Sequence, residues 1–412
     1  MTSFRGHSRS LRRRPGHLSA YIALAIAILA WPFRAEASEL PTDIAERLDS
    51  VLEQLRTAHD VPGLAVGVIE GGAPVYAKGF GVRSLDSGAP VDADTLFPVA
   101  SISKTFTATA IMQLAERQAV DLNARLSTYL PQFRRSGIAI RNLLTHTAGL
   151  QDNDRPTGRS GEEAALAYLS KVATDGTAFA PGTDWAYADT NFNILGVVVQ
   201  SLTGTPFPDY AQDRLLEPLG MTRSSFRPVA DQENVALPHT GWLSLSSGGG
   251  RPWDIAFTPS EGLHSSARDM LLWAQANLDR DRRLLAPGNY TTLHEPRMKT
   301  AWDGVRMALG WQVEGPPGAP VLRHAGGMDG VAALLTLYPR RERAIVILSN
   351  AEDTPRFEFR RAINAILDGQ DYTPDKAGAS RPAVLIFIAV LAALAIVLFA
   401  RRRVRSHRQR QN

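Results

Sequence analysis

The stretch ASISKTF, residues 100–106, leads into a predicted helix over residues 105–120, in which Ile111, Leu114 and Ala115 form an apolar stripe. Positions three apart share a helix face, so Ser101 and Lys104 would stand side by side. A neighbouring amine or ammonium, together with the positive end of a helix, helps to ionise a serine hydroxyl. The stretch therefore predicts a serine nucleophile. The alternative is that Ser101 caps the helix and Lys104 is a solvated residue of its first turn.

Length and composition indicate a globular protein. The 412 residues are enough for one large domain or two, and 44% hydrophobic with 21% charged residues is ordinary. The chain has no cysteine, which excludes disulfides, thiol nucleophiles and Cys-ligated metal sites. The net charge of +4 is unevenly spread: residues 1–37 carry six arginines and one acid, and residues 381–412 carry seven arginines and no acid. Residues 38–380 are therefore mildly acidic, and nucleic acid is not an expected partner.

Both ends of the chain have the pattern of membrane-targeting segments. Three arginines precede an apolar run at residues 20–33, and Ala-Glu-Ala follows at 35–37, which is typical of a cleaved secretory signal over residues 1–37. An uncleaved anchor is the alternative. Residues 383–400 form an uncharged apolar run long enough to span a bilayer, and a basic tail, residues 401–412, follows. The positive-inside rule places this tail in the cytoplasm and residues 38–380 outside.

The order of predicted elements indicates an α+β fold. Residues 41–59 have the spacing of an amphipathic helix, and residues 63–69 and 74–81 read as a β-hairpin. Short helical pieces and loops fill residues 121–237, and β-character returns at 307–313, 331–338 and 343–349 before a last helix near 354–367. We expect one antiparallel sheet built from both ends of the domain and flanked by helices in an α/β sandwich, with a mostly helical insertion about 121–237. The predicted domain covers residues 38–368, with a linker at 369–382.

Four segments resemble one family. They are FPVASISKTFTA (97–108), LLTHTAGL (143–150), GLHSSARDM (262–270) and IVILSN (345–350). They are similar to segments of the serine β-lactamase and penicillin-binding protein superfamily, and more narrowly of its class C β-lactamase-like branch. That branch includes D-aminopeptidases, DD-carboxypeptidases and esterases. The similarity covers most of residues 41–368.

The resemblance implies roles for a second motif, Tyr-x-Asn. Tyr187 matches its tyrosine, and Asp189 stands where the family often has Asn. By resemblance Tyr187 is the general base or part of a proton relay with Lys104. A phenolate can take a serine proton if a nearby ammonium lowers its pKa from about 10. An ordinary buried tyrosine is the alternative. Asp189 replaces a donor amide by an acceptor, so it could pair with Lys104.

A third motif, Lys-Thr-Gly or His-x-Gly on a strand, is matched by His324-Ala325-Gly326. By resemblance the main-chain N–H of Gly327 would join that of Ser101 in an oxyanion hole, with Gly326 leaving room for substrate backbone. His324 would supply an adjustable positive charge near pH 6.5. A loop histidine followed by turn glycines is the alternative. The family's permanent lysine charge, which binds a β-lactam carboxylate, is missing.

The sequence thus predicts a membrane-anchored, extracytoplasmic serine hydrolase that forms an acyl-enzyme at Ser101. Candidate substrates are small amides or esters, including D-amino-acid peptides and β-lactam-like compounds. No metal or cofactor is expected, and the sequence has neither a Gly-x-Ser-x-Gly nor a His-Glu-x-x-His motif. The alternative is a sensor or binding domain of the penicillin-binding type that is occupied by cell-wall-like ligands without turnover.

Overall fold

The computed structural model describes Thr2 and residues 39–374, except 134–136, 154–158, 160–161, 175, 230–232, 242–245 and 248–252. Among the helices within these residues, none is both long enough and apolar enough to cross a membrane. The predicted signal at residues 1–37 lies outside the described residues. So do the predicted transmembrane helix at 383–400 and the basic tail.

Eleven helices and twelve strands are found in the described part of the chain. The helices are α1 Thr42–Ala58, α2 Ser103–Glu116, α3 Ile140–Leu144, α4 Glu162–Val172, α5 Asp189–Thr203, α6 Phe207–Ala211, α7 Glu217–Leu219, α8 Thr258–Glu261, α9 Ala267–Asp279, α10 Pro287–His294 and α11 Arg356–Leu367. The strands are β1 Gly63–Glu70, β2 Ala73–Gly81, β3 Phe97–Pro98, β4 His239–Thr240, β5 Ser246–Ser247, β6 His264–Ser265, β7 Met298–Lys299, β8 Arg306–Met307, β9 Gln312–Glu314, β10 Val321–Met328, β11 Val331–Tyr338 and β12 Arg343–Ser349.

The main sheet joins both ends of the domain, as the sequence predicts. Its eight strands have the order β2-β1-β12-β11-β10-β9-β8-β7, and all neighbours are antiparallel. The closing contact is β1 with β12, where Leu64 pairs with Ser349 and Ile69 with Ala344. The predicted α+β fold with an antiparallel sheet and flanking helices is confirmed.

Alternation along the strands gives the sheet two apolar faces. On β1, Leu64, Val66 and Val68 pack in a cluster with residues of α1 and α11. Ala65 and Ile69 point to the other face, where the larger core includes residues of α2, α5 and α9. The sheet is therefore covered on both faces by helices, and helix α2 is buried in the larger core.

One strand prediction needs correction, and one motif is found on the strand that the resemblance implies. The run 307–313 is not one strand, because the chain reverses between β8 and β9 with Gly310 at φ +72°, and the Ala308 N–H donates to Trp311 O at 2.8 Å. Residues 321–328 form strand β10, so His324-Ala325-Gly326 lies on a strand as the resemblance implies, and the alternative of a loop histidine is wrong. Its register is set by β11, where Gly326 pairs with Ala333.

Candidate active site

Ser101 lies in a 3₁₀ turn, Ala100–Ile102, that leads directly into α2. Ala100 has φ +47°, a left-handed conformation that is unusual for a residue with a side chain. The Ser103 hydroxyl donates to Ala100 O at 2.7 Å and accepts the Leu263 N–H at 3.1 Å. Such strain persists where the surroundings fix the backbone, and it clusters at functional sites. The turn thus holds Ser101, which is partly exposed, at a defined position.

Lys104 is fully buried in the first turn of α2, and its ammonium contacts three oxygens. Its Nζ donates to Ser101 Oγ at 3.0 Å and to the Ser260 carbonyl at 3.0 Å. It also lies 2.6 Å from Asp189 Oδ1 in an ion pair. An ammonium can only donate, so Ser101 Oγ is the acceptor and its own hydrogen remains available to another group. The alternative of a solvated Lys104 is wrong.

The charge on Lys104 depends on Asp189. Burial works against a charged lysine, but the attraction of Asp189 and the interactions with Tyr187 outweigh it and raise the pKa of Lys104 above its ordinary value. Asp189 is the first residue of α5, where the helix dipole favours a carboxylate. The resting site therefore contains an ammonium–carboxylate pair next to the Ser101 hydroxyl.

Tyr187 completes this group. Its hydroxyl interacts with both Lys104 and Ser101, and the Lys104 Nζ lies 5.1 Å from the centre of its ring. Burial raises the pKa of Tyr187, the ammonium lowers it, Asp189 raises it, and the net effect is an increase. The prediction from the sequence requires that the ammonium lower the pKa of Tyr187 overall if a phenolate is to form. This condition is not met, because the net shift is upward. Tyr187 is a neutral phenol in the resting site.

His146 holds the Tyr187 segment, a role that sequence reasoning missed. Its ring stacks on Tyr187 with centroids 4.4 Å apart, and its Nδ1 accepts hydrogen bonds from the Ala188 N–H at 3.2 Å and Asn191 Nδ2 at 3.1 Å. Burial and the Lys104 charge lower the pKa of His146 well below its ordinary value, so the ring is neutral. The signal for this role in the sequence is the segment LLTHTAGL, residues 143–150, which contains His146.

His324 and Gly326 lie on the β10 face that points to the 3₁₀ turn that carries Ser101. A Cβ on Gly326 would stand 2.2 Å from Val99 O, so only glycine lets the strand cross the turn this closely. His324 is fully buried, and its Nδ1 lies 2.9 Å from Ala325 O. Burial and the Lys104 charge lower the pKa of His324 well below its ordinary value. The expected positive charge near pH 6.5 is therefore wrong, because the imidazole is neutral there.

Gly327 is exposed and belongs to a stretch of β10 with one open edge. Strand β9 pairs only with Val321, Leu322 and Arg323, so within the described residues no strand pairs with residues 324–328 on that side. An open strand edge offers main-chain donors and acceptors. The participation of the Gly327 N–H in an oxyanion hole stays a prediction.

A mostly apolar cavity of about 270 Å³ adjoins these elements. Ser101, Lys104 and Tyr187 do not line it. Its wall nevertheless includes Pro98, three residues before Ser101, and Met328, which directly follows Gly327. The cavity therefore borders β3 and the end of β10.

The geometry thus brings together Ser101, Lys104, Tyr187 and Asp189 from two helices and the segment before α5. A family model described as Beta-lactamase matches residues 48–370, which include all four residues. This chain belongs to the Beta-lactamase family. The resemblance to the serine β-lactamase and penicillin-binding protein superfamily is confirmed.

Two curated relatives of this β-lactamase-family chain are a protein flp and a penicillin-binding protein. Protein flp of Staphylococcus aureus (strain NCTC 8325 / PS 47) is 24% identical over 336 residues, which cover 76% of this chain and 64% of that protein. The chain thus spans less than two thirds of the length of that relative. Penicillin-binding protein 4 of Amycolatopsis lactamdurans is 29% identical over 330 residues, which cover 74% of this chain and 84% of that protein.

Solved structures show the same fold. The octameric penicillin-binding protein homologue from Pyrococcus abyssi has a TM-score of 0.71 at 24% identity, over 79% of this chain and 78% of that chain. A class C beta-lactamase has a TM-score of 0.70 at 22% identity, over 81% of this chain and 98% of that chain. At these identities the likeness establishes the fold alone.

Proposed function

We propose that this chain is a serine hydrolase that works through an acyl-enzyme on small amides or esters. The observation that carries the proposal is the 3.0 Å hydrogen bond from the buried Lys104 ammonium to Ser101 Oγ. A nucleophile and an activating group within hydrogen-bond distance, with a third group that orients the activator, are the usual signature of covalent catalysis. Asp189 is that third group here.

In this proposal Tyr187 relays a proton without becoming a stable phenolate. Ser101 Oγ attacks the substrate carbonyl and gives its hydrogen to the Tyr187 oxygen, while Tyr187 gives its own hydrogen to the leaving group. The proton count of Tyr187 does not change, which fits a phenol whose pKa is raised. Lys104 stays charged and stabilises the negative charge that develops on Ser101 and on the phenol oxygen. Water then releases the acyl group by the reverse path.

The surroundings favour substrates with an apolar part. Trp302, 39% exposed, lies 5.6 Å from the Tyr187 ring and 4.9 Å from that of Trp185, measured between centroids. Together with the apolar cavity that borders β3 and the end of β10, these rings would contact aliphatic or aromatic substrate groups. D-amino-acid peptides, their esters and β-lactam-like compounds fit this description.

We further propose an extracytoplasmic enzyme held at the membrane by a single helix. The support is the apolar run at residues 383–400 with the basic tail behind it, and the signal-like pattern at residues 1–37. The substrate would then be met outside the cytoplasm.

The test uses the full chain and its Ser101→Ala variant with a fluorescent phosphonate probe and a nitrophenyl ester. The proposal predicts labelling and steady-state turnover by the wild type, and neither by the variant. Labelling without turnover would favour the sensor hypothesis. Equal behaviour of the two proteins would show that Ser101 is not the nucleophile.

A further inference from the structure

The segment around Tyr187 is held by the loop that follows α3, residues 145–153. Within this loop the His146 carbonyl accepts the Ala186 N–H at 3.0 Å, and His146 Nδ1 accepts the Ala188 N–H at 3.2 Å. Both chain neighbours of Tyr187 are thus bonded to one residue of the loop. The Tyr187 side chain between them interacts with the buried ammonium.

Asp152 of the same loop continues this pattern at the start of α5. Its Oδ1 accepts the Thr190 N–H at 3.2 Å, and its carboxylate also interacts with the Asp189 N–H. The first N–H groups of a helix have no partner within the helix itself. The residue before α5, Ala188, has no side-chain oxygen that could accept them. Asp152 therefore acts as the N-cap of α5 from a different segment of the chain.

A second group of contacts fixes the same helical turn. The Asn153 N–H donates to Thr190 Oγ1 at 3.0 Å, and the Tyr168 hydroxyl donates to the same oxygen at 2.8 Å. The loop is held in its turn by a further segment, because Gly149 O accepts the Ala178 N–H at 2.8 Å. The first turn of α5 therefore rests on a support that is itself fixed.

The position of this turn sets the geometry of the candidate active site. Asp189 Oδ1 lies 2.6 Å from Lys104 Nζ, and the same Nζ donates to Ser101 Oγ at 3.0 Å. Misplacement of such a group by about 1 Å can lower a rate about 100-fold. A shift of the first turn of α5 would therefore reach Ser101 through the Lys104 ammonium.

We propose that Asp152 is a positioning residue, which holds the first turn of α5 so that Asp189 stays paired with Lys104. The inference rests on the proposed function and adds to it a residue that acts through Asp189 without touching the reacting atoms. Loss of the Asp152 carboxylate leaves two N–H groups of the turn to water, and the turn with its carboxylate becomes free to move.

The test measures nitrophenyl-ester hydrolysis by the full chain. We expect Asp152→Ala to lower kcat about 10-fold with KM changed less than about twofold, because Asp152 does not line the apolar cavity. Asp152→Asn keeps an oxygen that can accept the Thr190 N–H, so it should retain about half or more of the wild-type kcat. A wild-type kcat in Asp152→Ala, or equal losses in the two variants, would overturn the proposal.

Asp121→Ala is the matched control. Asp121 is exposed like Asp152, and its Oδ1 also accepts a main-chain N–H, that of Asn123 at 2.8 Å. It follows the C-terminal end of α2, whereas Ser101 precedes the N-terminal end of that helix. The change should lower the urea midpoint about as much as Asp152→Ala does and leave kcat and KM as in the wild type. Equal losses of kcat in the two alanine variants would indicate a general effect of a lost cap and overturn the proposal.

A second measurement needs no turnover and so separates this proposal from the proposed function. The interaction free energy between Lys104→Met and Asp189→Asn is measured by urea unfolding, once in the wild-type background and once with Asp152→Ala. A decrease by about half or more in the Asp152→Ala background supports the proposal even if the wild type hydrolyses no ester. An unchanged interaction free energy overturns it even if hydrolysis is found.

Discussion

Asp189→Asn should destabilise the protein because it leaves the Lys104 charge without its partner. The Lys104 side chain is 0% exposed and the Asp189 side chain 32% exposed, with 2.6 Å between Nζ and Oδ1. Removing one partner of a buried ion pair costs about 3–5 kcal/mol. Water reaches Asp189 and can partly solvate the lysine after the change, so we expect a loss at the lower end, about 3 kcal/mol.

The chain offers a control pair of the same length. Asp209 Oδ2 lies 2.6 Å from Arg227 Nη2, but these side chains are 40% and 50% exposed. Exposed pairs contribute about 0.2–1 kcal/mol, so Asp209→Asn should have little effect. Urea unfolding of the full chain at pH 7, followed by tryptophan fluorescence, gives the free energy of unfolding of each variant.

A double-mutant cycle with Lys104→Met isolates the pair. Because Met removes the charge, Asp189→Asn should lower the free energy of unfolding much less in the Lys104→Met background. The interaction free energy between the two positions should be about 2 kcal/mol or more. Equal losses for Asp189→Asn and Asp209→Asn, or additive effects of the two changes at 104 and 189, would refute the reasoning.

Three further predictions concern packing and pH. Gly326→Ala places a Cβ about 2.2 Å from Val99 O, so it should displace the turn that carries Ser101 and abolish most ester hydrolysis. The control is Gly318→Ala, which has no atom near its Cβ and should match the wild type in the same assay. Between pH 6 and 8 kcat/KM should be flat, because burial keeps His324 neutral; a limb near pH 6.5 that disappears in His324→Gln would contradict this. Burial and Arg280 lower the pKa of His294 to about 3, so protons bind the unfolded chain first as the pH falls below 6.5. The free energy of unfolding, measured by urea titration, should therefore fall less steeply with pH in His294→Gln than in the wild type between pH 6 and 4, by up to about 1.4 kcal/mol per pH unit. Equal pH slopes for the two proteins would contradict this prediction.

Local patterns in the sequence predict the elements at both ends of the domain well. Apolar spacing marks α1, and the two short β-rich runs mark the β1–β2 hairpin, because each element carries its own periodicity. Strand β10 is different. Its Arg-His-Ala-Gly-Gly segment has little β propensity, and its pairing with β11 and its contact with the turn that carries Ser101 impose the extended backbone.

The residues of the site were predictable, but their charge states were not. Spacing places Lys104 next to Ser101, and the possible pairing of Asp189 with Lys104 could be foreseen from residue type. The pKa directions of Tyr187 and His324 depend on how deeply the sheet and helices bury them, and no local pattern gives that. His146 was missed for the same reason, because its contact with Tyr187 joins segments 41 residues apart in sequence.

The central claim, an acyl-enzyme at Ser101, is tested most directly by trapping that intermediate. The full chain is mixed with a nitrophenyl ester, quenched in acid within one turnover, digested and analysed by mass spectrometry. We predict the mass of the acyl group on the peptide that contains Ser101, and no adduct in Ser101→Ala. An acyl group on another residue, or hydrolysis that persists in Ser101→Ala, would contradict the account.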